Sequence, residues 1–142
     1  MVTGLLGLEG IDTEGLLGSA VRDNLEAVSR VGKKWIFRLF SEVIGKYGRK
    51  RAHVMDAMVF MMKCGERALK DNQATVMSMF KKYDSIVGRF MLSDEDWDRR
   101  IELMRQDEHV TGGAGSELAF HLSAVRLLYT ASEGKNPAAE VY

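Results

Sequence analysis

Phe120-His121-Leu122-Ser123-Ala124-Val125-Arg126-Leu127-Leu128, closing in Ser132-Glu133-Gly134-Lys135-Asn136, has the pattern of an amphipathic helix that ends in a glycine cap. Its apolar residues recur at three- and four-residue steps, the period of an α-helix and not the alternation of a strand. Leu122, Val125 and Leu128 are expected to form the buried face. Gly134 stands just past the expected helix end, where a left-handed turn is wanted, and Pro137 blocks continuation. The helix is therefore expected over about Glu117–Ser132.

Working outward, Asp107–Ser116 contains Gly112, Gly113 and Gly115 and reads as a flexible link. Before it, Trp97, Ile101 and Met104 share one face of a helix, and Ser93 with Asp96 has capping-box spacing. Gln73–Tyr83 carries Val76, Met77, Met79 and Phe80, followed by a short apolar segment from Ile86 to Leu92. A helix from near Arg51 bears Val54, Met55, Met58, Val59, Met61 and Met62. It is apolar on more than one face, which predicts a central position. Ala68 and Leu69 either continue it or belong to the next turn.

Lys33–Tyr47 repeats the helical pattern with Trp35, Ile36, Leu39, Phe40, Val43 and Ile44, and stops at Gly48. The first helix is expected from Asp12 or Thr13, both good N-caps. Its stripe would be Leu16, Leu17, Val21, Leu25 and Val28, with Gly32 as its stop. No stretch shows sustained strand alternation and no Asn-Gly or Asp-Gly hairpin turn occurs. The fold class is all-α: about six helices, either an armadillo/HEAT-like helical-repeat segment or a compact helical bundle. Residues 1–11, rich in glycine, are expected to be a flexible lead-in, 12–136 a single helical domain, and 137–142 a C-terminal tail.

Composition narrows the function. A chain of 142 residues with 46% hydrophobic and 28% charged residues suits one soluble domain. Lys and Arg number 20, as do Asp and Glu, so no net field draws the chain to nucleic acid or a membrane. No apolar run approaches the ~18 residues of a membrane-spanning helix, and the N-terminus lacks the pattern of a signal peptide. Cys64, the single cysteine, fits a reducing compartment and is expected in the core.

Nothing assembles into catalytic chemistry. His53, His109 and His121 have no second His or Cys at ligand spacing, and His121 reads as a hydrogen-bonded structural residue. Thr111-Gly112-Gly113-Ala114-Gly115-Ser116 lacks both the preceding strand and the Gly-Lys-Ser/Thr of a phosphate loop. No nucleophile signature surrounds Cys64 or any serine. Asp94, Glu95 and Asp96 complement a helix dipole, and no EF-hand spacing occurs. The chain is expected not to be an enzyme, with no catalytic, metal or ligand-binding residue and no cofactor.

One feature suggests a partner. Lys33-Lys34-Trp35-Ile36-Phe37-Arg38-Leu39-Phe40, continuing to Gly48-Arg49-Lys50-Arg51, is basic and amphipathic. Trp35, Leu39 and Ile44 have the spacing of a calmodulin-target helix, making Lys33, Lys34, Trp35, Arg38, Leu39 and Ile44 a candidate binding helix for calmodulin or another acidic partner. The competing reading buries the same apolar residues in the domain and leaves the cations as its solvated face.

From about Arg38 to Asn136 the chain resembles the large intracellular calcium-release channels, the inositol-trisphosphate and ryanodine receptors. Members of that family carry an aromatic-His pair, a Leu-Leu pair and then Glu-Gly-Lys-Asn. Phe120-His121, Leu127-Leu128 and Glu133-Gly134-Lys135-Asn136 occupy those places here. Ile101-Glu102-Leu103-Met104-Arg105 is similar to the family's Leu/Met-rich helix ending in Met-Arg, while Val76-Met77 and Arg51 to Phe60 fit more loosely. Ala124, Tyr129 and Ala131 depart from the residues usual in animal receptors, and Pro137-Ala138-Ala139-Glu140 replaces the usual Val-Tyr-Thr-Glu.

The resemblance implies a piece of a far larger channel: the helical homology region of its cytosolic armadillo-like solenoid, away from ligand core and pore. Its role would be to relay ligand-driven movement and present regulatory surfaces in calcium signalling. Its partners would be other domains of the same channel, itself a homotetramer, on the cytosolic face of the endoplasmic reticulum or another calcium store. The isolated segment would be soluble, with no membrane insertion of its own.

Overall fold

The structure, a computed structural model, describes residues 13–87, 94–107 and 117–137. The expected lead-in, the Ser93 cap, His109, the glycine link and the tail from residue 138 lie outside the described residues.

Helix α1 (Thr13–Val21) is short, and the chain turns at Arg22–Asn24 before α2 begins at Leu25. The sequence reading expected one helix through here. Asn24 overrides it, because its Oδ1 accepts from Ala27 N at 3.0 Å and starts a new helix. Asp23 takes φ +55° in the same turn and its carboxylate accepts from Gly65 N. Leu17 and Val21 are buried as expected, but Leu16 is 67% exposed.

Helix α2 (Leu25–Arg38) runs on through a wider π turn, Leu39–Ile44, and a last turn, Gly45–Tyr47. The wide turn places Leu39, Phe40, Val43 and Ile44 together in the core, with the Phe40 ring 5.7 Å from that of Tyr83. Gly48, at φ +59°, ends the run as expected, and a 3-10 turn, Gly48–Lys50, leads on. Gly32 does not stop a helix. It lies buried inside α2, where a Cβ would come within 2.5 Å of Asn72 Nδ2.

Helix α3 (Ala52–Met62) fulfils its central role. Val54, Met55, Met58, Met61 and Met62 are fully buried, and the helix packs against α1, α2 and two helices farther along the chain, Lys70–Lys82 and Glu117–Ser132. Burying each such side chain contributes about 1.5–3 kcal/mol, and unbranched methionine adapts to several neighbours at once. A two-stranded antiparallel turn follows, β1 (Lys63–Cys64) with β2 (Arg67–Ala68), pairing Lys63 with Ala68 and Cys64 with Arg67. Cys64 is half-buried there and not in the core, because the chain leaves α3 one residue earlier.

Helix α4 (Lys70–Lys82) starts three residues before the expected Gln73. One further turn, α5 (Asp84–Val87), follows it. Helix α6 (Asp94–Asp107) shows Trp97 and Met104 exposed and Ile101 half-buried, so the expected apolar face is largely open. Helix α7 (Glu117–Ser132) has the expected bounds and lies along α3. The described residues thus form an all-α structure of seven helices, with almost no strand.

Candidate functional site

The residues that carry the calcium-channel resemblance cluster at the end of α7 and in its packing against α3. Phe120 and Leu127 are buried in the common core, and Leu128 packs partly against it. His121 is half-buried beside them. The buried face of α7 is Phe120, Ala124, Leu127 and Ala131, at steps of four, three and four. The expected face is wrong by roughly a third of a turn: Leu122 is 56% exposed and Val125 is 40% exposed. Two apolar stripes run along this helix, and the one that carries Ala124 and Ala131 is the one buried in the core.

Past Ser132 the chain bends as expected, with Gly134 at φ +74°. Lys135 follows at φ +56°, so two successive residues are left-handed. Glu133 reaches back to Lys63 at 3.5 Å, and both side chains are partly exposed, so the pair adds little on its own. Asn136 is buried, and its Nδ2 donates to Ala131 O at 3.0 Å, satisfying a carbonyl that the helix end leaves open. Gly134 and Asn136 therefore close the helix, while the Glu133 side chain reaches across to Lys63.

Two residues that the sequence reading left unassigned complete the closure. Gln73 is fully buried, and its Nε2 donates to Thr130 O at 2.9 Å and Glu133 O at 3.1 Å, across about sixty positions of chain. Its Oε1 has no hydrogen-bond partner. Asn72, next to it, sends Nδ2 to Met61 O at 2.7 Å. Adjacent amides at the start of α4 thus cap the C-terminal carbonyls of two different helices, α7 and α3. Two neutral amides at the buried start of an otherwise amphipathic helix are a signal that sequence alone offers, since such groups go inside only when hydrogen-bonded.

The candidate partner-binding helix is divided by the fold. Lys33 and Lys34 are exposed, Trp35 and Arg38 are half-buried, and Leu39 and Ile44 are completely buried. A protein that wraps this helix would have to draw two core residues out of the domain. Arg38 pairs with Glu42 at 3.3 Å. Further along, Arg49 Nε donates to Ile86 O at 2.7 Å and the Arg51 guanidinium lies 5.4 Å from the centre of the Tyr47 ring. Arg38, Arg49 and Arg51 are therefore engaged within the domain.

Among the described residues no group of three His, Cys, Asp or Glu side chains is placed to hold a metal ion. No described helix is long and apolar enough to cross a membrane. No protein-family model, curated protein or solved structure matches this chain.

Proposed function

We propose that the chain is a non-enzymatic scaffold segment of an inositol-trisphosphate-receptor-like intracellular calcium-release channel. It would relay ligand-driven movement between neighbouring cytosolic domains and present surface to regulators. The observation that carries this reading is the ordered run Phe120-His121, Leu127-Leu128 and Glu133-Gly134-Lys135-Asn136. The fold supports it in one respect: Phe120 and Leu127 are core residues, while Gly134 and Asn136 shape the helix end. Such a run specifies a rigid helical unit and not a reaction centre. Rigid units transmit displacement because packed interiors resist compression.

The parent channel would be a homotetramer on a calcium-store membrane, with this segment on its cytosolic side and outside the bilayer. Immunoprecipitation from detergent-solubilised membranes, with an antibody to this chain, tests the reading. Labelled inositol trisphosphate should be retained on the beads and displaced by excess unlabelled ligand. Beads that hold the antigen but no displaceable label would contradict it. The other reading, a calmodulin-binding helix over 33–51, draws on the exposed Lys33 and Lys34 and must overcome the burial of Leu39 and Ile44. Calcium-loaded calmodulin added to a Trp97→Phe variant should then shift Trp35 emission, and an unchanged spectrum ends it.

A further inference from the structure

We infer that the trough between α2 and α4 is a docking site for an acidic, amphipathic helical peptide segment of a partner protein. Two adjoining hollows lie along this seam, about 500 Å³ and 510 Å³, the size range in which ligands or several peptide side chains are held. They adjoin at Lys33 and Asp71, whose ion pair at 2.9 Å crosses the seam between them. The hollow nearer Lys82 is lined by Phe37, Ala74 and Met79 together with Thr75 and Ser78. Phe37 is 51% exposed although it belongs to a helix whose neighbouring apolar residues are buried. The other hollow is bordered by Arg67 and Lys70.

Charge selects the occupant. Arg67, Lys70 and Lys33 border the trough, and Lys82 Nζ stands 5.9 Å from the centre of the Phe37 ring. The single acidic residue among the lining groups is Asp71, bound to Lys33 at 2.9 Å in an exposed pair. Cations thus stand at both ends of the seam, Arg67 and Lys70 at one hollow and Lys82 beside Phe37 at the other. A partner with carboxylates on its flanks and one or two large apolar residues on its face matches both properties, the helix-in-groove mode of recognition. The α4 residues that line the two hollows run from Lys70 to Met79, about 14 Å of helix, which a helical occupant of about nine residues matches. Unlike a protein that wraps α2, this occupant leaves Leu39 and Ile44 in the core. The trough is built by α2, α4 and the β2 turn, so it asks nothing of the channel assignment.

The test is fluorescence anisotropy with the full chain and a fluorescein-labelled peptide of glutamate and leucine, the leucines at helical spacing. A scrambled peptide of equal composition and a lysine–leucine peptide serve as comparisons. Saturable binding of the patterned acidic peptide is expected, with both comparisons at least about tenfold weaker. Phe37→Ala should weaken binding about tenfold, because it removes a ring that the peptide would cover. The Lys33→Glu, Lys82→Glu double variant should weaken it by at least as much. All three substituted side chains are at the surface, and an unchanged circular dichroism spectrum establishes that the variants fold. The inference is overturned if the patterned peptide does not bind, if the scrambled peptide binds equally well, or if the variants bind with unchanged affinity.

Discussion

Replacing Gly32 by alanine should destabilise the domain, although alanine is ordinarily the better helix residue. In an open helix interior the change would gain about 0.5–1 kcal/mol. Here the new Cβ would lie 2.5 Å from Asn72 Nδ2 and 3.3 Å from Asn72 Cγ, and Asn72 is itself buried. The amide has to move, and in moving it leaves Met61 O, which it now holds at 2.7 Å. A buried carbonyl and amide left unpaired cost about 1–3 kcal/mol. The net effect is a loss of about 1 kcal/mol. With a urea slope of about 2 kcal/mol/M, that lowers the unfolding midpoint by about 0.5 M.

The reasoning is sharpest as a double-mutant cycle. Asn72→Ala alone should cost about 1–3 kcal/mol. In that background the obstacle is gone, and Gly32→Ala should become stabilising by about 0.5–1 kcal/mol. The two substitutions would then be coupled by more than about 1 kcal/mol. Urea titrations of the four proteins, followed by far-UV circular dichroism, read the cycle. A Gly32→Ala effect of the same sign and size in both backgrounds would refute the close approach as the reason for glycine at this position.

The remaining predictions concern α7 and its closure. Gly134→Ala should lower stability by about 1 kcal/mol, since a Cβ is disfavoured at φ +74° and would also press on Ala68 Cβ at 3.3 Å; an unchanged thermal midpoint would count against the cap. Leu127→Ala should cost about 2–5 kcal/mol while Leu122→Ala stays within about 0.5 kcal/mol, and equal effects in denaturant would place the wrong face inward. Gln73→Leu should cost about 1–3 kcal/mol, read as a lower urea midpoint, because two carbonyls at the end of α7 lose their donor. An unaltered midpoint would mean that the amide contributes nothing net.

The central helix was legible because Ala52–Met62 is apolar on more than one face, with His53 and Asp56 its only polar residues, and a surface helix does not need that. The ends at Gly48 and Gly134 were legible for a similar reason: the conformation each residue adopts is set by local chemistry. Gly32 was misread because a glycine that ends a helix and a glycine that admits a neighbour look alike in one dimension. The difference lies in Asn72, forty positions away along the chain. The break at Arg22–Asn24 was hidden by apolar periodicity continuing across it, although Asn24 is a good N-cap on its own evidence. In α7 both candidate stripes have helical spacing, and only the closeness of α3 decides between Leu122-Val125 and Ala124-Leu127. The Gln73 closure depends on contacts with Thr130 and Glu133, which no local window contains. The basic, amphipathic character of Lys33–Ile44 was legible, but the same apolar pattern describes a helix that packs into its own domain, and the packing claims Leu39 and Ile44.

The channel assignment is tested most directly by the native size of the polypeptide that contains this sequence. An antibody raised to the chain and applied to fractionated whole-cell extract should reveal a membrane-associated band vastly larger than 15.9 kDa. A soluble band near 15.9 kDa, with nothing in the membrane fraction, would contradict the account.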